Sequence, residues 1–533
     1  MMKKILCGLL AASLAAGALV SCGSDGGSSS SSGSSGTESS ASASESSEES
    51  GSSSGETSTA SAGYTPNFDE EPYTVHFQYL ITVESGDQQL VNDKINELAM
   101  EALNMQVELI PQTMGTWQTT LPMMLAAGEP LDFFVGTSNT FGTYIESGYM
   151  NNLADYLDYM PDIVETLGDD LNACYIGDFL TGIPMMKERG NAIGICTNKA
   201  ITDELGFSED DFNITTKDYS TYEQLDALFA AVKEAYPDMQ PLAGTNIMAN
   251  MVSNYVDTLG NNYGVLADFG QTTTITNWFE SDQYLELCKI ARRWFEAGYI
   301  SADAATSQDV GEQLMRMGTA FSAINNIKPN TDIERLSQVG YEVYVIPMAQ
   351  TTYVGSSALS GMVYSMSSAS EDPVKAAAFY NWAFSSGEFN DTINWGVEGV
   401  HWVEDENGMA AYPEGVDSTN TTYHHDFGWC YPNQFVGHPW AGNDADIWEQ
   451  YDEYNASNIR SMAFGFNFDS TVVSNEISAC DTVYQQYYRD LSFGAIDPEA
   501  NIDAFNDALY GAGLQTIMDE KQAQLDAWLA EQG

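Results

Sequence analysis

Two tryptophans, Trp395 and Trp402, bracket a carboxylate, Glu398, and a histidine, His401. Flat aromatic rings stack on the apolar C–H faces of sugars, and carboxylates and amides pair with sugar hydroxyls. Trp117, Tyr144, Trp278, Trp429 and Trp440 offer the same surface and complete the aromatic candidates. The chain holds 10 Trp, 29 Tyr and 23 Phe, so most of its rings must serve as core. Tyr423-His424-His425-Asp426, with Cys430 and His438, is the densest grouping of possible metal ligands. Its spacing fits no zinc pattern. Asp405-Glu406-Asn407-Gly408 is similar to part of a calcium loop but lacks the closing glutamate at the required spacing. It reads as an Asn-Gly hairpin turn. No metal and no cofactor is expected. Catalytic signatures are poor: there is no P-loop, no His-Glu-x-x-His and no dinucleotide fingerprint in a βα turn. Gly51-Ser52-Ser53-Ser54-Gly55 matches a nucleophile elbow in letters, but no strand or helix flanks it. The abundant carboxylates leave a glycosidase pair open as the alternative.

These residues must be positioned by alternating strands and helices. Tyr73 to Tyr79 alternates with period two and reads as a strand; Asp87 to Asn104 carries apolar positions at helical spacing. Met105 to Ile110 alternates again, Trp117 to Ala127 is helical and stops at Gly128, and Leu131 to Val135 is a buried strand. Short helices follow at 141–147 and 153–159. The order βαβαβα predicts a parallel α/β sheet, with the ligand outside the carboxyl ends of its strands. Gly136, Thr137 and Ser138 fall there.

The 533 residues carry 18 Lys+Arg against 76 Asp+Glu, a net charge of −58, with 43 % hydrophobic residues. That is enough apolar mass for two to four domains. The charge excludes nucleic acid as a partner, because phosphate recognition needs a basic footprint. At the N-terminus, Lys3 and Lys4 precede an apolar run from Ile5 to Val20, short for a membrane span, which needs about 20 residues. The run ends in Leu19-Val20-Ser21-Cys22 and Gly23, which resembles the lipobox of bacterial lipoproteins, with Cys22 as the lipidated thiol. This implies anchoring on the extracellular face of a bacterial cell membrane. Cleavage before Cys22 removes Lys3 and Lys4, leaving 16 − 76 = −60. Residues 23–63 are Ser, Gly, Ala, Thr and Glu, too polar to order themselves, and the linker is placed at 23–72. Its low-complexity part spans roughly 35 Å r.m.s.. Cys174, Cys196, Cys288, Cys430 and Cys480 show no Cys-x-x-Cys pair and read as small core residues.

Several segments carry a family resemblance. They are Met124 to Asp132, Gly148 to Leu153, Gly182-Ile183-Pro184 with Ile193 to Lys199, Met317 to Phe321, and Asp372-Pro373-Val374-Lys375-Ala376. In order and spacing they resemble the family 1 extracellular solute-binding proteins of ABC importers, the group shaped like maltose-binding protein. Trp395 to Trp402, Phe464 to Asp469 and Glu520 to Trp528 resemble a lipoprotein subgroup with a C-terminal domain of unknown function. The resemblance implies an α/β, two-lobe clamshell with hinge crossovers near Ile183, Gly355 and Gly399 and a helical C-terminal extension. Lobe one is then 73–182 with 358–398, lobe two 184–355 with 403–463, and the C-terminal helices 464–533. It further implies capture of an oligosaccharide by hinge closure, without catalysis, and delivery to importer membrane subunits. The same clamshell binding a peptide or another polar solute is a variant, because one fold serves many ligands. The residues assigned to the ligand are Trp117, Gly136, Thr137, Tyr144, Trp278, Trp395, Glu398, His401, Trp402 and Trp440.

Overall fold

The period-two alternation at Tyr73 becomes strand β1 (Tyr73–Ile81), paired in parallel along its whole length with β2 (Met105–Thr113). Helix α1 (Gln88–Leu103) joins them and ends where Asn104 takes a left-handed φ of 56°. Helix α2 (Trp117–Ala127) ends at Gly128 with φ 63°, a conformation that glycine adopts freely, and leads into β3 (Phe133–Thr137), parallel to β1. This computed structural model describes residues 63–532, apart from 191, 245–250, 253, 307–310 and 350–351. The lipobox, Cys22 and the linker up to residue 62 lie outside the described residues.

Two sheets organise the chain. The first also contains β4 (Ile183–Pro184), and the second is built from β5 (Ala192–Asn198), β6 (Gln240–Leu242), β7 (Ala320–Ile327) and β8 (Val343–Pro347). A late strand, β9 (Met362–Met366), returns to the first sheet, giving the order β2-β1-β3-β9-β4. Because β9 runs antiparallel to both neighbours, the first sheet is mixed rather than wholly parallel. The second sheet has the order β8-β5-β7-β6, with β5 antiparallel to β7 and β8.

Each sheet has its own apolar core. Phe77, Phe133, Tyr364 and Tyr380 fill the first, under helix α3 (Pro373–Ser385), whose start is capped by Asp372 and Pro373. Ile195, Phe229, Trp294 and Phe321 fill the second. All five body cysteines are buried and free.

Three boundaries differ from expectation. Residues 63–72 are not loose linker: Tyr64 packs against the first core, and Asn104 Nδ2 donates to the carbonyls of Asn67 and Glu70. The composition changes at Tyr64, and one aromatic ring plus these hydrogen bonds suffices to order the segment. Residues 403–463 do not belong together with the second sheet. Tyr423, Phe427, Cys430 and Tyr431 are buried in the first core: the Tyr431 ring packs on Tyr79 and on Phe427, and Tyr364 Oη donates to the Cys430 carbonyl. Gly399 is accordingly no crossover. It sits in a tight turn, φ 78°, with its N–H bonded to the Trp402 carbonyl, and the hairpin Val403–Glu404/Ala410–Ala411 follows through the expected Asn407-Gly408 turn. The later pairing of Tyr353–Val354 with Ile459–Arg460 ties this region to the second crossover segment.

The C-terminal helices α6 (Ser474–Ser492), α7 (Pro498–Ala512) and α8 (Leu514–Gln532) complete the second core with Leu491, Phe505, Leu509 and Ile517. They are part of that hydrophobic unit and not a separate layer.

Candidate functional site

A cavity of about 430 Å³ opens where α4 (Gly387–Trp395), the loop 426–443, α5 (Ile447–Ser457) and the segment after β7 converge. It is lined by Trp395, Trp429, Trp440, Trp448, Tyr431 and Tyr451, with Lys328, Asn330, Glu334 and Gln338 from the second-sheet side.

Helix α4 builds the wall. Its polar face is buried, against the usual rule for a helix packed on a core. Three of its buried side chains hold the facing loop. Asn390 Oδ1 accepts from the Asn433 N–H, Asn394 Oδ1 from the Phe427 N–H, and Asp391 Oδ1 from the His438 N–H at 2.7 Å. Asp391 Oδ2 also lies 2.6 Å from His438 Nδ1. Burial raises the Asp391 pKa, and the His438 hydrogen bonds oppose it. Gly437 passes so close that a Cβ there would fall 2.8 Å from Asp391 Oδ1. This helix therefore holds the loop that presents the aromatic rings.

Those rings form a box. Trp395 and Trp440 have centroids 4.8 Å apart, and the His424 ring sits 5.2 Å from Trp395 and 4.4 Å from Trp440. Tyr412 closes the side at 4.7 Å from Trp440. Trp395 Nε1 donates to the His438 carbonyl and Trp402 Nε1 to the Gly396 carbonyl. These two indole N–H groups are thus committed to the scaffold. Burial holds His424 and His425 down at about 4, with His424 adding to the shift of His425, so both are neutral at pH 7.

Two charged groups mark the wall. Asp426 is solvent-accessible, has a left-handed φ of 50°, and its carboxylate accepts no hydrogen bond from the described residues. Crowding by the cavity walls raises its pKa by desolvation, with Glu334 adding and Lys328 opposing. Lys328 Nζ lies 3.3 Å from Glu188 and 3.7 Å from Glu334, and 5.4 Å from the Tyr451 ring centroid. Burial pulls its pKa down, but Glu188, Tyr451 and Glu334 more than offset this and raise it. Glu188 is lowered: burial pushes it up, and Lys328 and Lys187 outweigh that. Gln434 Nε2 completes the Glu188 shell at 3.3 Å.

Of the residues assigned from sequence, the structure brings Trp395 and Trp440 together on the cavity and places Trp402 directly behind them, its ring 5.3 Å from His438. Trp429, in the wider aromatic set, also lines it. The others fall elsewhere. Trp117 and Tyr144 are packed in the first core, Tyr144 edge-on to Phe134. Trp278 lies in the second core, stacked on Tyr255. A Cβ at Gly136 would meet Phe141 at 2.8 Å and Ser365 Oγ at 2.9 Å, so that glycine serves strand packing. Thr137 ends β3, and its carbonyl accepts from Thr140 Oγ1. Ser138 lines a second cavity of about 270 Å³ beside Asp257, Ser356 and Phe466. His401 is buried, accepting from the Val397 N–H through Nδ1, with Nε2 3.3 Å from Asp87, and so pins the turn. Glu398 is exposed on that turn and outside the cavity lining, because α4 stops at Gly396, whose φ of 95° redirects the chain. Asp391, Asn394, Asp426 and His438 were not assigned to the ligand from sequence. For Asp391 and Asn394 the available signal was the polar run Asn390-Asp391-Thr392 and Asn394 set among Phe389, Ile393 and Trp395.

Residues 95–397, more than half of the chain, match the family described as bacterial extracellular solute-binding protein, and residues 462–530 match a domain of unknown function (DUF3502). A carbohydrate ABC transporter substrate-binding protein of Streptococcus pneumoniae serotype 4 is 22 % identical over 480 residues, 86 % of this chain and 91 % of its own length. The structure of the N-glycan transport solute binding protein (NgtS) of Streptococcus pneumoniae superposes with a TM-score of 0.75 at 19 % identity, covering 86 % of this chain and all of that one. An extracellular solute-binding protein of Bifidobacterium longum subsp. infantis superposes at 0.61 with 17 % identity, over 87 % and 99 % of the two chains. The fold is that of these solute-binding proteins, and the chain belongs to the bacterial extracellular solute-binding protein family.

Proposed function

We propose that this protein is the substrate-binding subunit of an ABC importer and that its ligand is an oligosaccharide held in the aromatic cavity. The observation that carries this reading is the Trp395–Trp440 pair beside Asp426 and the Asp391–His438 couple. Rings stack on sugar faces while the polar groups pair with hydroxyls. The relatives' names point the same way: one is a carbohydrate transporter subunit, and NgtS has a structure in complex with Man5GlcNAc.

The lobes are proposed as the two sheet units, 73–182 with 358–398 and 184–355. The cavity takes Trp395 and Asp426 from the side of the first and Lys328 and Glu334 from the side of the second. A ligand touching both walls favours the closed arrangement, a population shift that membrane subunits can read. The protein binds without turnover. Cys22 is the lipid attachment site and keeps the body at the outer face of the cell membrane; Cys22→Ala should abolish fatty-acid labelling and release the protein into the medium.

The test is a thermal-shift screen of the purified protein against oligosaccharides, with peptides alongside and sugar masses measured afterwards. An intact sugar that stabilises the fold, by about 2.7 kcal/mol at a 100-fold excess over Kd, supports the reading. Cleaved sugar, or stabilisation by peptides alone, overturns it. Trp440→Ala should lower affinity by about tenfold or more, the scale of one aromatic stacking contact.

A further inference from the structure

We infer that this cavity selects neutral glycans over acidic ones, and that Asp426 sets the preference; this rests on the carbohydrate reading above. Any acidic sugar needs a cation or a set of free donors to replace the water lost by its carboxylate. Lys328 is the one lysine or arginine on the cavity wall among the described residues. Its ammonium is already committed to Glu188 and Glu334 and covers the Tyr451 ring. Lys187 and Arg335 line a neighbouring cavity with Glu188; Arg335 pairs with Glu312 at 3.5 Å, and the Lys187 ammonium lies over the Trp429 ring, 5.7 Å from its centroid. His438 Nδ1 is held by Asp391. Among the described residues that line it, the wall therefore offers an incoming carboxylate no uncommitted positive charge.

It offers negative charge instead. Asp426 carries a carboxylate into the cavity at a backbone conformation that most residues avoid; Lys328 acts on it only at a distance, and no hydrogen bond or ion pair from the described residues holds it. Glu334, paired with Lys328 and Arg335, and Asp391, paired with His438, bring further carboxylates to the same wall. A sugar hydroxyl entering here finds acceptors. A uronate or sialate carboxylate finds like charge in a partly desolvated space, where repulsion is screened less than in water.

The experiment measures binding, by calorimetry, of neutral tri- to pentasaccharides of glucose, mannose and galactose, and of the same chains oxidised at C6 to uronates. The wild type should bind a neutral chain about 100-fold more tightly than its oxidised form, as expected when like charges are juxtaposed. The ratio should shrink as ionic strength rises. Asp426→Asn should cut the ratio to less than about tenfold, chiefly by improved binding of the oxidised chain. Asparagine tolerates a left-handed φ, so this variant should fold, and circular dichroism checks it. Equal or tighter binding of the uronates by the wild type overturns the selectivity. A ratio unchanged in Asp426→Asn overturns the assignment to that residue. Failure of both neutral and oxidised chains, in a protein that responds to another solute, overturns the carbohydrate reading itself.

Discussion

A half-buried lysine and a fully buried one are treated in opposite ways in this protein. Lys328, on the cavity wall, faces the carboxylates of Glu188 and Glu334, and its pKa is raised while Glu188 is lowered. Lys521, on α8, is fully buried where the C-terminal helices meet the loop 258–264. It donates to the carbonyls of Thr258, Asn261 and Gly264 and to Asn261 Oδ1, all neutral acceptors. Burial therefore wins and lowers its pKa to about 7, with Asp257 opposing only weakly. Asp257 itself is raised by burial. The cavity keeps a true ion pair, because water and paired charges reach it. The junction pushes both of its ionisable groups toward neutrality. The contrast separates the wall of the aromatic cavity from a packed seam that fixes the C-terminal helices onto the second core.

The largest effect should come from breaking the ion pair. Lys328→Met leaves Glu188 buried beside fewer positive charges, and the fold should lose about 3–5 kcal/mol in urea unfolding at pH 7. A loss under about 1 kcal/mol would mean that the wall is as solvated as an exposed surface.

Lys521→Met should cost about 3 kcal/mol at pH 9, by leaving several buried oxygens without a donor. Its signature is the pH dependence. Between pH 7 and about 10 the unfolded chain still binds the proton that folded Lys521 has released, so this residue makes stability rise with pH across that window. Below pH 7 both states are charged and the burial cost is present in full. The deficit of the variant against wild type should therefore grow from pH 7 to pH 9. A deficit that stays constant from pH 7 to pH 9 would show that Lys521 is held charged like Lys328, and the contrast would fail.

A smaller effect should appear in acid. His425 is buried, neither ring nitrogen has a hydrogen-bond partner, and its pKa is lowered to about 4. As pH falls from 6.5 to 4, the unfolded chain takes a proton that folded His425 refuses, and up to about 3 kcal/mol of stability is lost. His425→Phe should make that limb of the unfolding free energy shallower between pH 6.5 and 4.5, leaving the share of His424, which burial also lowers to about 4. An unchanged limb would place the acid sensitivity elsewhere.

Local patterning was legible in the sequence; long-range placement was not. Strands at 73 and 105, the stop at Gly128 and the cap at Asp372 follow from rules acting within a few residues. The antiparallel insertion of β9 depends on a partner more than 200 residues away in sequence, which periodicity does not encode. The aromatic candidates divided for a similar reason. Trp278 in a core and Trp440 on a cavity are the same residue type meeting the same demand for flat apolar contact. Asp426 was read only as part of a possible metal cluster, since its left-handed backbone and its place opposite Lys328 arise from the fold around it.

The smallest expected effect is at Glu398, and it decides where the cavity ends. Three residues after Trp395, Glu398 would share a face with it if α4 continued. The helix instead stops at Gly396, where a Cβ would fall 2.6 Å from His401 Nδ1, and the chain turns outward. Glu398→Ala should therefore change neither stability, by more than about 0.5 kcal/mol, nor ligand affinity, by more than about twofold. The paired variant Gly396→Ala should do the opposite, because it strains a left-handed turn and displaces the ring that pins it. If Glu398→Ala weakens binding as strongly as Trp440→Ala, the turn 397–402 must fold over the ligand. The wall would then extend past Trp395, and the division between aromatic box and solvent would have to be drawn beyond His401.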